Sequence, residues 1–401
     1  MTSEWNHFAL GEITELVIDY RGKTPKKLGG DWCKQGYRAL SAKNIKTGRI
    51  VQAETIRYID ESLYRKWMKD EVQRGDILIT SEAPFGQIFF WDSDEKIVLS
   101  QRLFCVRIKP EYDARFIYYY MTTPEFQSEL DGRATGTTVI GLRQPELMKC
   151  IIRCPEIQEQ KVIAAILSSI DAKIIANEKV NDNLEQQAQS YFQELFVDNA
   201  DPEWTTGTIS DLGAVVGGST PSKAKPEYYT ESGIAWITPK DLSINKSKFA
   251  SHGENDITEL GLKNSSAVIM PEGTVLFSSR APIGYIAIAT GEVTTNQGFK
   301  SVVPKPEIGT PFVYFFLKNT LPVIEGMASG STFKEVSGST MKKVPAVIPD
   351  AETLAKFSSF CAPIFAQQRI LEEQNQSLAI LRDNLLPKLM SGEIDVSAVQ
   401  L

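Results

Sequence analysis

The phrase TSEAPFGQI (Thr80 to Ile88) returns as SSRAPIGYI (Ser278 to Ile286), with the shared core Ser-x-Ala-Pro-x-Gly opening at Ser81 and again 198 residues later at Ser279. Aligning the two phrases draws in most of the chain. GKTP (Gly22 to Pro25) falls on GSTP (Gly218 to Pro221), and GYRALSAKNI (Gly36 to Ile45) falls on GIAWITPKDL (Gly233 to Leu242), which puts Lys43 on Lys240. RGDILIT matches EGTVLFS, RFIYYYM matches PFVYFFL, RATGTT matches MASGST, and Pro155 matches Pro349. The offset drifts only from 198 to 194, so few gaps are needed. A period of that length is far beyond a solenoid unit, and 401 residues are too many for one ordinary core. The chain is a duplicated domain, and every further expectation has to respect that.

Each copy has the same grammar. Short β-rich runs, such as DILITSEA and TVLFSSRA, are punctuated by Gly, Pro, Ser and Asn. A proline then precedes a long stretch that reads as helix. In the first such stretch Ile163, Leu167, Ile170, Ile174, Asn177, Asn181, Leu184, Ala188, Tyr191 and Leu195 alternate by four and three. Phe357, Cys361, Ile364, Gln368, Leu371, Asn375, Leu378, Arg382, Leu385 and Leu389 repeat the pattern 194 residues on. This is a heptad seam in both copies, with asparagines that fix register at a cost in stability. The competing reading is an amphipathic helix packed on its own domain. If the seams pair, the second helix runs back toward the first domain, so the pair is antiparallel. At ~1.5 Å per residue it forms a rod roughly 50 Å long with a globular domain at each end.

The expected architecture is therefore α+β: two similar mixed domains and two long helices in an antiparallel coiled coil, related by a pseudo-twofold repeat. The boundaries are residues 1–154 for the first domain, 155–200 for the central helix, 201–348 for the second domain and 349–401 for the distal helix and tail.

Net charge is −7, yet it is segregated. Tyr20 to Ile50 holds nine Lys/Arg and one acid, whereas Pro155 to Ala200 holds eight acids and three Lys. A local basic patch, not the mean, neutralises phosphates, although a solvated basic loop would look the same. The opening residues lack a secretory pattern and no run approaches ~18 apolar residues, so a cytoplasmic chain without membrane contact is expected. Five cysteines without framework spacing fit free thiols, and with two histidines no metal ligand set emerges for Cys150 and Cys154.

Catalytic signatures are missing. RGKTP lacks the leading glycine of a phosphate loop, no Gly-x-Gly-x-x-Gly follows a strand, and no methyl-donor loop or Asn/Asp-Pro-Pro-aromatic tetrapeptide is present. Glu159-Gln160-Lys161 ends like a nuclease motif but sits at a helix start without a partner acid. His7 and His252 lack counterparts in the other copy. No catalytic residue and no metal site are assigned, and a two-headed binder follows.

The chain resembles the specificity subunit of a type I restriction-modification system. The resemblance is carried by GGSTPSKAKPEYY (from Gly217), GIAWITPKDL, SSRAPIG, ASGSTF (Ala328 to Phe333) and NLLPKLMSGEIDV (Asn384 to Val396). LGEI (Leu10 to Ile13) and ATGTTV repeat the pattern more loosely in the first half. It implies that each domain reads one half of a bipartite, asymmetric double-stranded DNA target, while the helices set the gap and bind two modification subunits. It also implies that adenine methylation with S-adenosylmethionine, and ATP- and Mg²⁺-dependent translocation and cleavage, belong to modification and restriction subunits. This chain would then bind no cofactor itself. Two alternatives stand beside it: the DNA-reading part of a stand-alone methyltransferase or nuclease, and a protein scaffold with no DNA role.

Loops reaching base edges, with Lys/Arg and hydroxyls on phosphates, supply the candidate DNA contacts. In the first copy these are Lys23, Lys26, Lys27, Lys43, Lys46, Glu82, Arg133, Thr135, Thr137 and Thr138. In the second they are Ser219, Thr220, Ser222, Lys223, Lys225, Lys240, Arg280, Ser329, Ser331, Thr332 and Lys334. Lys43 and Lys240, matched across copies, suit shared phosphate positioning, while Glu82 against Arg280 is where readout could diverge. For each, an ordinary turn or surface position is the alternative. Tyr118 to Tyr120 read as helix core, not as a stacking platform.

Overall fold

The heptad periodicity and the flanking prolines produce two long helices, Ile157–Gln193 of 37 residues and Ala351–Ser391 of 41. They are seen in a computed structural model that describes residues 5–136, 140–330, 334–397 and 399. The first helix loosens into a π turn at Glu194–Asp198. The second is capped by Asp350, whose carboxylate accepts the Thr353 amide at 2.8 Å, and ends at Gly392 with φ +74°. It runs through Pro363 and Pro387, each of which removes one backbone donor. Among the described residues, no helix is long and apolar enough to cross a membrane.

The chain divides into two compact units, Met1–Lys173 with Leu378–Leu401, and Ile174–Ser377. The division falls inside both long helices, not at their ends, so each unit owns a piece of each.

In the first unit a four-stranded antiparallel sheet has the spatial order Thr14–Asp19, Leu103–Ile108, Ile77–Thr80, Ile88–Phe90. The run Ile77-Leu78-Ile79 is wholly buried because the sheet is covered on both faces. Ile77, Ile79, Phe104 and Val106 enter one core with Ile163, Leu167, Leu389 and Val396, while Leu78, Leu103 and Cys105 enter a second core with Trp67 and Ile97. Strand alternation thus feeds two cores, each fully buried aliphatic contributing about 1.5–3 kcal/mol. Tyr118, Tyr119 and Tyr120 are buried in helix Ala114–Met121, as expected of core. Antiparallel pairing of the helix pieces brings the Arg382 guanidinium 2.9 Å from Asp171, which also accepts the Tyr119 hydroxyl at 2.6 Å. Buried Asp76 takes both arms of Arg107 at 2.9 Å.

The second unit repeats the plan with five strands ordered Gly213–Gly217, Lys300–Pro304, Val275–Ser279, Ile283–Ala289, Phe249–Ala250, the last joined in parallel. Val275 and Phe277 enter one core and Leu276 the other, repeating the alternation. The helix pieces pair antiparallel here too, since partner numbers fall as the first helix advances. Asn177 donates to Asn375 at 2.8 Å, Gln368 donates to the Asn181 carbonyl at 3.2 Å, and Tyr191 meets Phe360 at 4.5 Å.

One polar cluster ties this sheet to its helix pieces. The Lys248 ammonium, just before the edge strand, lies 2.8 Å from Glu185 and 2.8 Å from Gln368, and 3.5 Å from the Phe365 ring centre. Glu185 also accepts from Lys318 and from the Tyr314 hydroxyl. Burial would raise the Glu185 carboxyl, but the two ammonium groups override it and hold it at about 2. Burial pulls Lys248 the other way, down to about 8, with Glu185 opposing.

The seam is buried along both helices: Ile163, Leu167, Ile170, Ile174, Asn177 and Leu371 are closed to solvent, and Asn181, Leu184, Asn375, Leu378 and Leu385 are half-buried. The two readings of the seam combine, because Ile163 and Leu167 also enter their domain's core, as do Phe357, Cys361 and Ile364 in the second unit.

Candidate nucleic-acid interface

The Ser-x-Ala-Pro-x-Gly phrase ends the central strand of each sheet in a turn with a cis Ala–Pro bond, at Ala83–Pro84 and Ala281–Pro282. Equivalent hydrogen bonds frame both turns. The Ser81 amide donates to the Arg102 carbonyl and Ser279 to Gly298, while Leu142 donates to Ser81 and Val336 to Ser279. The repeat therefore holds at single backbone groups.

In the first unit the turn borders an open cavity of about 540 Å³. Its wall carries Lys26, Lys43, Arg57 and Arg102 against one acid, Asp31, together with Trp32 and the hydroxyl-bearing Thr24, Ser41, Thr55 and Ser100. Arg57 lies 4.8 Å over the Trp32 ring. Cations and hydroxyls around a concavity, with the half-buried Trp32 in its wall, suit a polyanion.

The anticipated contacts scatter around this feature. Lys26 and Lys43 are exposed on short 3-10 turns at the cavity wall, and Lys46 is exposed on a hairpin strand outside it. Lys27 donates to the Gly22 carbonyl at 2.9 Å. Lys23 is spent within the fold: its ammonium donates to the Trp67 carbonyl and sits 3.7 Å over the Tyr20 ring. Partial burial and nearby Lys69 lower its pKa. Arg133 closes a helix by pairing with Glu129 at 2.9 Å, and Thr135 forms a backbone bridge to Gly141. Glu82 is paired with Arg102 at 3.0 Å.

In the second unit Ser219 accepts the Trp236 indole N–H at 3.0 Å, and the Thr220 hydroxyl meets Gln297. Ser222 and Lys223 are exposed, and Lys225 lies 5.4 Å from the Tyr228 ring centre. Lys240 is exposed and paired with Glu254. Arg280 lies 3.6 Å from Glu335, which Lys300 also approaches at 3.9 Å. Burial lowers the Lys300 pKa. Ser329 bridges Glu335 through its backbone, and Lys334 is exposed. Thr137, Thr138, Ser331 and Thr332 lie outside the described residues.

Arg102, Arg57 and Trp32 escaped the sequence reading. A signal for Arg102 was present: it stands in Gln101-Arg102 where the other copy has Gln297-Gly298, a charged residue aligned on glycine. Among the described residues no group of three or more His, Cys, Asp or Glu could hold a metal ion. Cys105, Cys150, Cys154 and Cys361 are buried free thiols and Cys33 is partly exposed, with burial pushing Cys150 and Cys154 up to about 12.

Comparison with known proteins gives a family match at both repeats. The model described as the type I restriction modification DNA specificity domain matches residues 2–186 and again 202–381. The specificity subunit of the type I restriction enzyme MjaIX of Methanocaldococcus jannaschii is 40% identical over 173 residues, 43% of this chain and 40% of that one. The HindI specificity subunit of Haemophilus influenzae is 23% identical over 81% of this chain and 88% of its own. In fold, the chain is similar to the crystal structure of a type I restriction-modification S subunit from M. genitalium, with a TM-score of 0.59 at 18% identity over 96% of each chain.

Proposed function

The chain belongs to the type I restriction-modification DNA specificity family, and from that premise we propose that it is the non-catalytic DNA-reading subunit of such a complex. Each unit reads one half of a bipartite, asymmetric double-stranded target. The paired helices set the gap and dock two modification subunits, with restriction subunits joining the full assembly in the cytoplasm. S-adenosylmethionine, ATP and Mg²⁺ act in those partners. The observation that carries this reading is the double match, one per repeat, falling on two units that each have their own cores.

Physically, exposed Lys26, Lys43 and Lys46 in the first unit and Lys223, Lys240 and Lys334 in the second supply phosphate contacts, which position the heads without choosing a sequence. Each contact raises the salt slope of binding by about 0.9. Base readout then falls to side chains on the loops around the Ala-Pro turns.

Selection of bound duplexes from a random pool, using the full chain co-expressed with its modification subunit, tests the proposal. Two short motifs separated by a fixed, sequence-indifferent gap are expected. One continuous motif, or binding indifferent to sequence at every salt concentration, overturns it. The chain purified alone should neither methylate DNA with S-adenosylmethionine nor cut it with Mg²⁺.

A further inference from the structure

Three backbone positions around each Ala-Pro turn are equivalent by their hydrogen bonds and bridges: 82, 102 and 141 in the first unit, and 280, 298 and 335 in the second. The first set is Glu82, Arg102 and Gly141; the second is Arg280, Gly298 and Glu335. Each set contains one carboxylate, one guanidinium and one glycine, and in each the two charges meet, at 3.0 Å and 3.6 Å. Only the assignment of charge to position is permuted.

A staple alone does not account for Arg102. Its φ is +66°, a left-handed conformation that costs free energy for any residue with a Cβ, whereas the equivalent Gly298 does not adopt it. An arginine is kept where the backbone disfavours it. Its side chain is 48% exposed at the wall of the cation-lined cavity, far from the burial that would make a salt bridge worth the strain. The Glu82 carboxylate lies 3.0 Å from the Arg102 Nε as an ion pair without a hydrogen bond, and no hydrogen bond to a described residue engages the two terminal nitrogens. That leaves a planar fork, with a carboxylate behind it, at the wall of a basic concavity. End-on presentation of two N–H donors matches the O6 and N7 acceptors of guanine in the major groove.

We propose that Arg102 is a specificity-determining residue of the first unit, reading one guanine, with Glu82 as its positioning residue; in the second unit Glu335 instead faces the terminal Nη1 of Arg280, which leaves that arginine as the staple of the pair. This rests on the DNA-reading function proposed above.

The test is selection from a random duplex pool by the full chain in complex with its modification subunit, as wild type and as Arg102→Gly, Arg102→Lys, Arg280→Gly and Glu82→Gln. Arg102→Gly should erase the guanine preference at one position of one half-site and weaken binding to the wild-type target about 10- to 100-fold. The other half-site should be unchanged, and the melting temperature should not fall, since glycine suits the backbone. Arg102→Lys, which keeps charge but loses the fork, should lose the same preference. Arg280→Gly, which removes the corresponding pair in the second unit, should leave that guanine preference unchanged. Glu82→Gln should blur the Arg102 position without lowering the melting temperature, a readout that a purely structural staple would not move. Retention of the wild-type motif by Arg102→Gly, or of the guanine preference by Arg102→Lys, overturns the inference. A wild-type complex with no motif at all instead overturns the DNA-reading function itself.

Discussion

Replacing Glu185 with glutamine keeps the shape of the side chain and removes its charge. The buried Lys248 ammonium, 7% exposed, and that of Lys318 are then left side by side without the carboxylate they share, with Glu372 remaining coupled to Lys248. The folded carboxyl stands at about 2 against an ordinary 4.5. At ~1.4 kcal/mol per pH unit, that difference stabilises the folded state by about 3 kcal/mol. The same size follows from the cost of orphaning one member of a buried ion pair, about 3–5 kcal/mol. In a unit of this size the melting temperature should fall by about 6–12 °C. Differential scanning calorimetry of the full chain measures the shift, and hydrogen exchange read by mass spectrometry assigns the loss to residues 174–377.

The pH dependence gives a sharper check. Because the folded value lies below the unfolded one, the unfolded chain binds more protons between about pH 4.5 and 2. The Glu185 contribution is therefore complete above that window and lost as pH falls through it. The gap between wild type and Glu185→Gln should close over the same interval. Glu185 raises the Lys248 pKa, so without it the ammonium should lose its proton below the wild-type value of about 8 and partly rescue the variant as pH rises. Exchanging both partners for apolar residues, Glu185→Leu with Lys248→Met, should come close to wild type. A Glu185→Gln penalty under about 1 kcal/mol at pH 7, or a gap that does not close in acid, would mean that Glu185 does not stabilise the cluster.

Other outcomes follow from the same geometry. Asp76→Ala strands the Arg107 guanidinium and should cost about 3–5 kcal/mol in the first unit only, seen as a shift of one calorimetric transition. Asn177→Ala leaves Asn375 without its partner and should cost about 1–3 kcal/mol, whereas Asn177→Leu with Asn375→Leu should be neutral or stabilising in urea denaturation. Gly22 and Gly218 occupy equivalent positions with different surroundings. A Cβ at Gly218 would meet the Asn296 carbonyl at 1.9 Å, while one at Gly22 meets nothing within 4 Å. Gly218→Ala should therefore cost about 1–3 kcal/mol and Gly22→Ala less than about 0.5 kcal/mol, by thermal melting.

The repeat, the buried central strands, the turns that end them and both helices were legible because each is a local pattern: an apolar run, a proline, a period of three and four. Which residues line the seam was legible for the same reason. The charges were not. Lys23 looks like any loop cation until the fold sets the Trp67 carbonyl against it, and Lys248 is unremarkable until two helices bring it Glu185 and Gln368. Arg102 acquires its partner only because two strands pair in one register. Electrostatic roles depend on neighbours distant in sequence, whereas periodicity depends on neighbours close by. The compact units illustrate the same limit: proline and composition mark where helices begin, not where a helix passes from one core to the next.

The division inside the helices sets an order for biosynthesis. Residues 174–377 form one uninterrupted stretch, so the second unit has all its parts as soon as that stretch leaves the ribosome. The first unit is translated first but lacks Leu389, Met390 and Val396, which share its core with Trp5 and Phe116. The nascent N-terminal half must wait, incompletely sealed, while the later-made half closes. Translation order and completion order are reversed, and a premature stop near residue 380 would spare the second unit while leaving the first open.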